Sequence, residues 1–405
     1  MILSLPAPVL YALELTPVCN NRCPGCYNVF AGRRAEAPVL PLDQWRLLLE
    51  RIRPYAHLVK LTGGEPTLYP DLAGLVSLLD EFSLSYSVFT NARWSDPEAL
   101  IRLLAASSSF RGMLVSVHGA TAASHEAFTG VGGSFDQALD NIRRATDSGL
   151  QVVLSTVIHR YNLEELPAVA ALCARLGADH VSFNRYLGPP APQIEPSPAE
   201  LRGAVARIEA LREAGTRVKF GDCVPHCFVP SSARGCLAGI AYCTIDPWGT
   251  VRPCSHSPTR LGSLFERSIV DIWADDEARA WRNRVPDACH TCAAFGDCHG
   301  GCRAQAETRG LPADPLMTGP LAHRIEEHQA VLYRRARPRS ACDIRPQPFG
   351  YLMLRGNAVV PLSRADRPLL DACDGETPLW SLAEQYGQRG LQLIHEWSRH
   401  GLVDM

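Results

Sequence analysis

The sequence is poor in lysine, in net charge and in long apolar runs. Only Lys60 and Lys219 are lysines, and 40 basic against 42 acidic residues leave a formal net charge of −2. This balance creates no broad positive field, so we expect no nucleic-acid partner. No apolar run reaches the roughly 18 residues that span a bilayer, so we expect no membrane partner. The apolar N-terminus lacks a basic segment and contains Pro6 and Pro8, which argues against a signal peptide.

Cysteine, by contrast, is abundant, with 15 in 405 residues. An odd number in a long chain without a secretion signal favours metal or redox chemistry in the cytoplasm over a disulfide framework. Most of the cysteines fall into groups at residues 19–26, 223–254 and 289–302. The isolated Cys173, Cys342 and Cys373 are expected to be small buried hydrophobic residues, although Cys342 is considered again below.

Strand and helix patterns alternate from residue 10 to residue 215. Strands are predicted at 11–15, 58–62, 84–90, 113–117, 152–158 and 180–183, and helices at 42–52, 72–82, 97–106, 135–148, 163–176 and 198–214. Ser95 and Ser197 are predicted to begin helices as part of capping boxes. Six βα units predict an α/β fold with a parallel sheet, short of the eight units that close a barrel. An open, partial (β/α)6 barrel and a doubly wound sheet both remain possible.

Three domains are predicted. The partial barrel takes residues 1–215, and a loop-like, cysteine-rich domain follows at 216–336, with a hairpin around 245–252 and a basic helix at 321–337. This loop-like second domain should have little apolar core of its own, so we expect its metals to hold it together. Residues 345–405 contain a predicted hairpin and three short helices, a winged-helix-like arrangement.

The first cysteine group is a CxxxCxxC motif formed by Cys19, Cys23 and Cys26 directly after the first predicted strand. Three thiolates on a four-iron cluster leave one iron open for another ligand. A zinc ion would need a fourth ligand, and no further Cys or His lies within twenty residues. The second predicted strand ends in the run Thr62-Gly63-Gly64-Glu65-Pro66, at the sheet edge where α/β folds bind ligands.

Together, the two motifs resemble those of the radical S-adenosylmethionine (SAM) family over about residues 10–200. The resemblance implies an enzyme in which Cys19, Cys23 and Cys26 hold a [4Fe–4S] cluster whose open iron binds SAM. It implies that the backbone of residues 63–65 binds the SAM amino group. It further implies reductive cleavage of SAM to a 5′-deoxyadenosyl radical, with flavodoxin or ferredoxin as electron donor.

The same resemblance implies a set of cofactor-binding positions near the strand ends. These are Tyr27, Thr62, Gly63, Gly64, Glu65, Pro66, Asn91, Ser116, His118, Val157 and Asn162. Two positions depart from the family pattern: Gly25 stands where an aromatic residue is frequent, and Thr129 where an arginine is frequent. A partner for the SAM carboxylate is therefore expected elsewhere.

The later cysteines are spaced Cys236-x12-Gly249-x4-Cys254 and Cys289-x2-Cys292-x5-Cys298-x3-Cys302. Paired structural zinc ribbons are one interpretation. The whole pattern, however, resembles the SPASM extension of radical SAM enzymes. The resemblance implies two auxiliary iron–sulfur clusters. Auxiliary cluster I would take Cys236, Cys243, Cys254 and Cys302, and auxiliary cluster II would take Cys289, Cys292 and Cys298.

The last family ligand of cluster II is expected after Asp314-Pro, where Met317 stands instead. A thioether is a poor ligand for an iron–sulfur cluster. Cluster II therefore has either an open iron or a substitute ligand, for which Cys223, Cys227 and Cys342 are available. No catalytic residue is identified, and His256, Cys223 and Cys227 are the candidates.

Residues 350–405 resemble PqqD-like modules, which bind a leader peptide by β-augmentation. We therefore expect a cytoplasmic radical SAM/SPASM oxidoreductase that installs a cross-link or an oxidation in a ribosomally made precursor peptide. Modification of a small molecule or of a protein side chain is the alternative. A zinc-stapled binding protein is a further alternative from another class.

Overall fold

Parallel strands and helices alternate through most of the chain, of which the computed structural model describes residues 5–30, 39–221, 223–232, 235–322 and 336–405. The chain divides into two compact units, Ile2–Pro320 and Leu321–Met405. The first unit opens with β1 (Leu10–Glu14), α1 (Leu42–Ile52), β2 (Leu58–Thr62), α2 (Leu72–Glu81), β3 (Tyr86–Thr90), α3 (Pro97–Ala106), β4 (Phe110–Ser116), α4 (Ala122–Thr129), α5 (Ser134–Asp147), β5 (Val152–Ile158), α6 (Leu166–Arg175), β6 (Val181–Arg185), α7 (Pro198–Glu213) and β7 (Val218–Phe220).

These elements follow the predicted ones, with two corrections. Ser197 forms the predicted capping box with Glu200, but the N-cap of α3 is Asp96 rather than Ser95, since the Asp96 side chain accepts from Ala99 N at 2.9 Å. Helix α4 was not predicted. It is one short helix inserted between β4 and α5, and Thr121 caps its start.

The strand order resolves the choice between the two sheet types. Strands β1 to β7 are neighbours in chain order, and each pair is parallel. Right-handed crossovers that always advance in one direction place the helices on one face of the sheet, whereas a doubly wound sheet needs a reversal of strand order. The predicted partial barrel is confirmed, with β7 as an additional strand.

The cysteine-rich region continues this sheet. Its elements are β8 (Tyr242–Ile245), β9 (Thr250–Arg252), β10 (Gly262–Ser263), α8 (Ile269–Ala274), α9 (Asp276–Arg282), α10 (Phe295–Cys298) and α11 (Arg303–Thr308). Strand β8 pairs parallel with β1, and β9 returns antiparallel to it, which confirms the predicted hairpin.

As expected, this region has little apolar core of its own, but its apolar side chains join the main core of the first unit. Ile245, Val251, Ile272 and Trp273 are fully or almost fully buried and belong to the main core of the first unit. Because β8 extends the barrel sheet, its apolar side chains pack with those of β1 instead of needing a core of their own. Burial of apolar surface therefore stabilises this part of the chain before any metal is bound.

The second unit contains β11 (Arg339–Ser340), β12 (Asp343–Gln347), β13 (Gly350–Arg355), β14 (Ala358–Ser363), α12 (Arg367–Asp371), α13 (Leu379–Arg399) and β15 (Val403–Asp404). The predicted hairpin is present as β13 and β14, and the unpredicted β12 extends it to a three-stranded antiparallel sheet. The last two predicted helices are both present as segments of α13, and they are separated by a kink where Gly387 has a non-helical φ of 67°. The winged-helix description stays a prediction.

Most of the predicted basic helix, residues 323–335, lies outside the described residues. Within the described ranges, we find no helix that is both long enough and apolar enough to cross a membrane.

Candidate functional site

The CxxxCxxC loop leaves the carboxyl end of β1 with its three thiols partly exposed. Cys19 Sγ accepts hydrogen bonds from Asn21 N at 3.4 Å and from Asn91 Nδ2 at 3.7 Å. Cys23 and Cys26 are joined by a turn in which Cys26 N donates to Cys23 O at 3.2 Å. Donors directed at a sulfur stabilise its thiolate form, which is the form that binds iron.

Arg93, just beyond the end of β3, fixes the loop in place. Its guanidinium donates to Asn20 O at 2.5 Å and to Asn21 Oδ1 at 3.0 Å, and Asn20 Nδ2 donates back to Arg93 O at 2.8 Å. On the other side, Arg22 N donates to Thr129 O at 2.9 Å, at the end of α4. The cysteines are therefore presented by a loop that is bound on two sides.

The two departures from the family pattern have a packing explanation. A Cβ at Gly25 would lie 2.7 Å from Tyr186 Cε2 and 2.9 Å from Ile194 Cδ1, so this backbone leaves no space for an aromatic side chain. Thr129 is buried, and its hydroxyl bonds that of Ser134 at 2.7 Å. Thr129 thus serves the loop through its main chain, and its side chain is engaged elsewhere.

The Gly63-Gly64 step lies against the chain that leads from β1 into the cysteine loop. A Cβ would come within 2.6 Å of Thr16 O at Gly63 and within 2.1 Å of Val18 O at Gly64, and Gly63 has a φ of 128°. Gly64 N and Glu65 N donate to Thr16 O and Val18 O at 2.7 and 2.8 Å. With these N–H groups engaged, the carbonyl oxygens are what this backbone can offer to an amino group.

The Glu65 carboxylate joins the ends of β2 and β3. It is fully buried and accepts hydrogen bonds from Thr90 Oγ1 at 2.7 Å, Asn91 N at 2.8 Å and Thr67 Oγ1 at 2.8 Å. Burial raises its pKa, and these hydrogen bonds oppose the rise. Glu65 thereby holds Asn91 beside Cys19, so the side chain acts in the scaffold of the site.

At the ends of β4 and β5 the predicted His118, Val157 and Asn162 meet. Val157 N donates to His118 Nδ1 at 3.2 Å, and Asn162 Nδ2 donates to His118 O at 2.9 Å. Ser116 is the last residue of β4 and half-buried.

Two further histidines complete this cluster and were missed. His118 N donates to His125 Nδ1 at 3.1 Å, His159 Nε2 bonds His118 O at 2.7 Å, and Phe128 packs between the rings of His118 and His159. Burial lowers the pKa of His125 and of His159 to about 4, and it also lowers the pKa of His118 well below its ordinary value. The cluster is therefore uncharged near neutral pH. His159 directly follows β5, a position that sequence reasoning could have singled out.

A buried ion pair lies beneath the other side of the loop. Glu14, the last residue of β1, pairs with Arg252 of β9, and both are almost fully buried. Burial raises the Glu14 pKa to about 7 although Arg252 opposes this. Nearby, the rings of Tyr27 and His256 stack with centroids 4.2 Å apart, and His256 N donates to Cys254 Sγ at 3.4 Å. These contacts connect the first cysteine loop to the later cysteines.

One group of later thiols consists of Cys223, Cys236, Cys254 and Cys302. They pack in one cluster with Trp281. Hydrogen bonds to Cys236 and Cys302, together with burial, raise the pKa of Cys223. The bond between Cys223 and Cys302 lowers the pKa of Cys302. Cys254 interacts electrostatically with Cys236 and Cys302.

A second group consists of Cys227, Cys289, Cys292 and Cys298. Cys289 interacts electrostatically with the other three, and burial raises its pKa to about 11. His226 N donates to Cys298 Sγ at 3.4 Å.

The assignment of Cys243 to auxiliary cluster I is corrected by the structure. Cys243 lies in β8, fully buried in the main core, and burial is the only cause that raises its pKa. Its neighbour Tyr242 packs with the first group of later thiols. Successive residues of a strand point to opposite faces, so Cys243 points away from that group.

The spacing of the thiols bears on the zinc interpretation. Among the residues that the structure describes, no three cysteine sulfur atoms lie within 4.8 Å of one another. Zinc needs its thiolates closer than this, because each Zn–S bond is about 2.3 Å long. No three of the described thiols are therefore placed as three ligands of one zinc ion.

A buried ion pair that was not predicted positions Cys302. Arg185, at the end of β6, donates to both Asp314 oxygens at 2.7 Å, and both side chains are buried. Asp314 Oδ2 also accepts from Cys302 N at 2.7 Å. The pairing of Arg185 with Asp314 could not be predicted from sequence, because 129 positions separate the two residues.

Comparison with known proteins identifies the family. A family model described as the radical SAM superfamily matches residues 13–173, and an iron–sulfur cluster-binding domain, SPASM, matches residues 236–298. A relative from Methylorubrum populi, named PqqA peptide cyclase, is 30% identical over 332 residues, covering 78% of this chain and 85% of the relative. The chain belongs to the radical SAM superfamily. This radical SAM enzyme takes iron–sulfur clusters and SAM as cofactors, and its thiol groups fit them.

Other relatives carry different names. An AdoMet-dependent heme synthase from Nitratidesulfovibrio vulgaris is 27% identical over 352 residues, covering 78% of this chain and 92% of the relative. The crystal structure of Streptococcus suis SuiB bound to the precursor peptide SuiA has a TM-score of 0.63 at 18% identity, covering 78% of this chain and 77% of SuiB. The radical SAM enzyme described here therefore shares the fold of SuiB.

Proposed function

We propose that this radical SAM enzyme modifies a ribosomally made precursor peptide, installing a cross-link or an oxidation. The observation that carries the proposal is the three-thiol loop beside the Gly63-Gly64 step, within a chain that also gathers two groups of SPASM thiols. Two relationships support a peptide substrate. The M. populi relative is named a peptide cyclase, and SuiB, which shares the fold, was crystallised with a precursor peptide.

In this proposal Cys19, Cys23 and Cys26 hold the SAM-binding cluster. When bound, cluster and SAM supply a 5′-deoxyadenosyl radical that removes hydrogen from the substrate. The carbonyl oxygens at Gly63 and Gly64 accept from the SAM amino group, as the engagement of the neighbouring N–H groups supports. Ser116 and the uncharged histidine cluster line the strand ends where the nucleoside part of SAM is proposed to lie.

Tyr27, Thr62, Pro66, Val157 and Asn162 stay proposed cofactor-binding positions in their strand-end loops. His256 keeps a proposed role beside Cys254, where its N–H to sulfur hydrogen bond supports a positioning role more than proton transfer.

The C-terminal module is proposed to bind the leader of the peptide at an edge of its three-stranded sheet. Among the residues that the structure describes, β12 and β14 are the outer strands of this sheet, and β-augmentation would use one of them. Each contains a proline, Pro346 or Pro361, which has no N–H to donate, so the docked strand should be short. Flavodoxin or ferredoxin is the proposed electron donor, and the cytoplasm the proposed compartment. The domain limits 1–215, 216–336 and 345–405 stay predictions.

The test uses the full chain, reconstituted anaerobically with iron and sulfide, and a candidate precursor peptide encoded beside its gene. We expect a mass decrease of the peptide together with 5′-deoxyadenosine. Removal of residues 321–405, the second compact unit, should weaken peptide binding and leave peptide-independent SAM cleavage in place. Unchanged peptide affinity of the truncated chain would favour the small-molecule alternative, for which the heme synthase relative is the precedent.

A further inference from the structure

The segment Cys223-Val-Pro-His-Cys227 lies upstream of the SPASM match, which begins at residue 236. No part of that match therefore gives these two thiols a role. The family pattern also leaves each auxiliary cluster one thiolate short in this chain, since Cys243 points into the core and Met317 stands where the last cysteine is expected. Two ligands are missing, and two thiols are unassigned.

Cys223 lies where the ligand of the first cluster is missing. Its thiol is in hydrogen-bond contact with both Cys236 and Cys302. It also packs in the same cluster of side chains as Cys254 and Trp281.

Cys227 lies where the ligand of the second cluster is missing. Thr318, the residue after Met317, donates its N–H to Cys227 Sγ at 3.4 Å and its hydroxyl to Cys227 O at 2.8 Å. The chain after Asp314-Pro thus reaches the second group, but it presents a donor to the Cys227 thiol instead of a thiol of its own. Cys227 also faces Cys289 and Cys298 electrostatically.

The short spacer explains how one segment reaches two groups. Phe228 N and Val229 N both donate to Pro225 O, at 2.9 and 3.0 Å, so the chain turns sharply at Cys227. Val224 is buried in the main core, which anchors the turn. On this segment, the Cys223 thiol faces Cys236 and Cys302, and the Cys227 thiol faces Cys289 and Cys298.

We propose that Cys223 supplies the fourth thiolate of auxiliary cluster I and Cys227 the fourth thiolate of auxiliary cluster II. The ligand sets are then Cys223, Cys236, Cys254 and Cys302 for the first, and Cys227, Cys289, Cys292 and Cys298 for the second. Every auxiliary iron has a thiolate, so neither cluster offers an open iron to a substrate atom. This inference rests on the proposed auxiliary clusters and deepens them.

The experiment uses the full chain carrying C19A, C23A and C26A, so that only auxiliary clusters assemble. C223A, C227A and, as matched control, C243A are added singly to this background. After anaerobic reconstitution, iron is counted, and electron paramagnetic resonance is recorded after mild oxidation. An iron without a thiolate is lost under oxidation and leaves a paramagnetic [3Fe–4S] cluster, whereas a fully ligated cluster keeps its four irons.

We expect no [3Fe–4S] signal from the background chain or from C243A. C223A and C227A should each convert or lose about half of the auxiliary clusters. If C227A fails to fold, C227S replaces it, since serine keeps the size of the side chain and offers an oxygen ligand. C227S should shift the spectrum of one reduced cluster.

Two results would overturn the inference: auxiliary spectra unchanged by C223A, C227A and C227S, or a [3Fe–4S] signal from C243A. A background chain that binds no iron at all would instead remove the proposed auxiliary clusters themselves.

Discussion

The loop after β1 and the two later cysteine groups present their thiols in contrasting ways. The loop carries three cysteines on consecutive turns, all partly exposed, and its contacts go to main-chain and asparagine groups. The later groups gather four cysteines each from distant parts of the chain, with half of these cysteines buried. In the proposed ligand assignment, the loop leaves one iron of its cluster open for SAM, whereas each later group supplies four thiolates and leaves no iron open.

The largest expected effect comes from removing the three thiols of the loop after β1. The triple variant C19A/C23A/C26A should form no 5′-deoxyadenosine with SAM and dithionite, because no iron remains to bind SAM. Roughly two thirds of the iron should remain, since the auxiliary ligands are untouched. Chromatography of the nucleoside products and an iron assay check both parts. Substantial SAM cleavage by this variant would contradict the assignment of the loop.

The next effect concerns the first group of later thiols, in which Asp314 of the buried Arg185–Asp314 pair accepts a hydrogen bond from Cys302 N. Asp314→Asn leaves Arg185 buried without its counter-charge, which should lower the free energy of unfolding by about 3–5 kcal/mol. The double variant R185M/D314L removes both charges and should recover a large part of this loss. Urea denaturation monitors both variants, and an equal loss in the double variant would speak against an electrostatic cause.

The histidine cluster makes the SAM-binding side sensitive to acid. His125 and His159 have folded-state pKa values of about 4, below the ordinary 6.5, so the unfolded chain binds more protons between these values. Stability should therefore fall as the pH drops from about 6.5 towards 4, by up to 1.4 kcal/mol per pH unit for each histidine.

The variant His159→Gln should reduce the slope of the free energy of unfolding against pH by about the contribution of one histidine. Leu47→Gln, at an exposed position of α1 that carries no titratable group, serves as the control and should keep the slope of the parent chain. Urea midpoints at several pH values measure the slopes. Equal slopes in the parent chain and H159Q would show that His159 is not held neutral by burial.

A smaller effect is expected from the hydrogen bonds by which Glu65 joins the ends of β2 and β3. Glu65→Gln replaces an oxygen by an amide NH2 that faces donors, which should cost about 2 kcal/mol of stability. SAM should also bind more weakly, because Asn91 is no longer held beside Cys19. Glu98→Gln, on an exposed ion pair with Arg144, is the control and should change stability by less than about 0.5 kcal/mol. Thermal unfolding and SAM titration distinguish the two variants.

The sequence predicts the barrel side of the molecule well. β2, β5, α1 and α3 begin and end where predicted, because local periodicity and strand-end motifs carry the information. Parallel strands then bring distant motifs such as Thr62–Pro66 and Asn91 to one edge.

The later region is less predictable, since its ligands are grouped by tertiary packing. The resemblance to SPASM proteins implied Cys243 as a cluster ligand, but the alternation of side chains along β8 turns it into the core. The buried pairs Glu14–Arg252 and Arg185–Asp314 were missed for the same reason, because no local pattern marks partners so far apart in the chain.

The most direct test of this contrast is the ⁵⁷Fe Mössbauer spectrum of the reconstituted chain with and without SAM. In the wild-type chain we expect SAM to change the signal of a single iron. In C19A/C23A/C26A we expect SAM to change no iron signal. A SAM-induced change in the triple variant, or a wild-type spectrum that SAM leaves untouched, would contradict an open iron held by Cys19, Cys23 and Cys26.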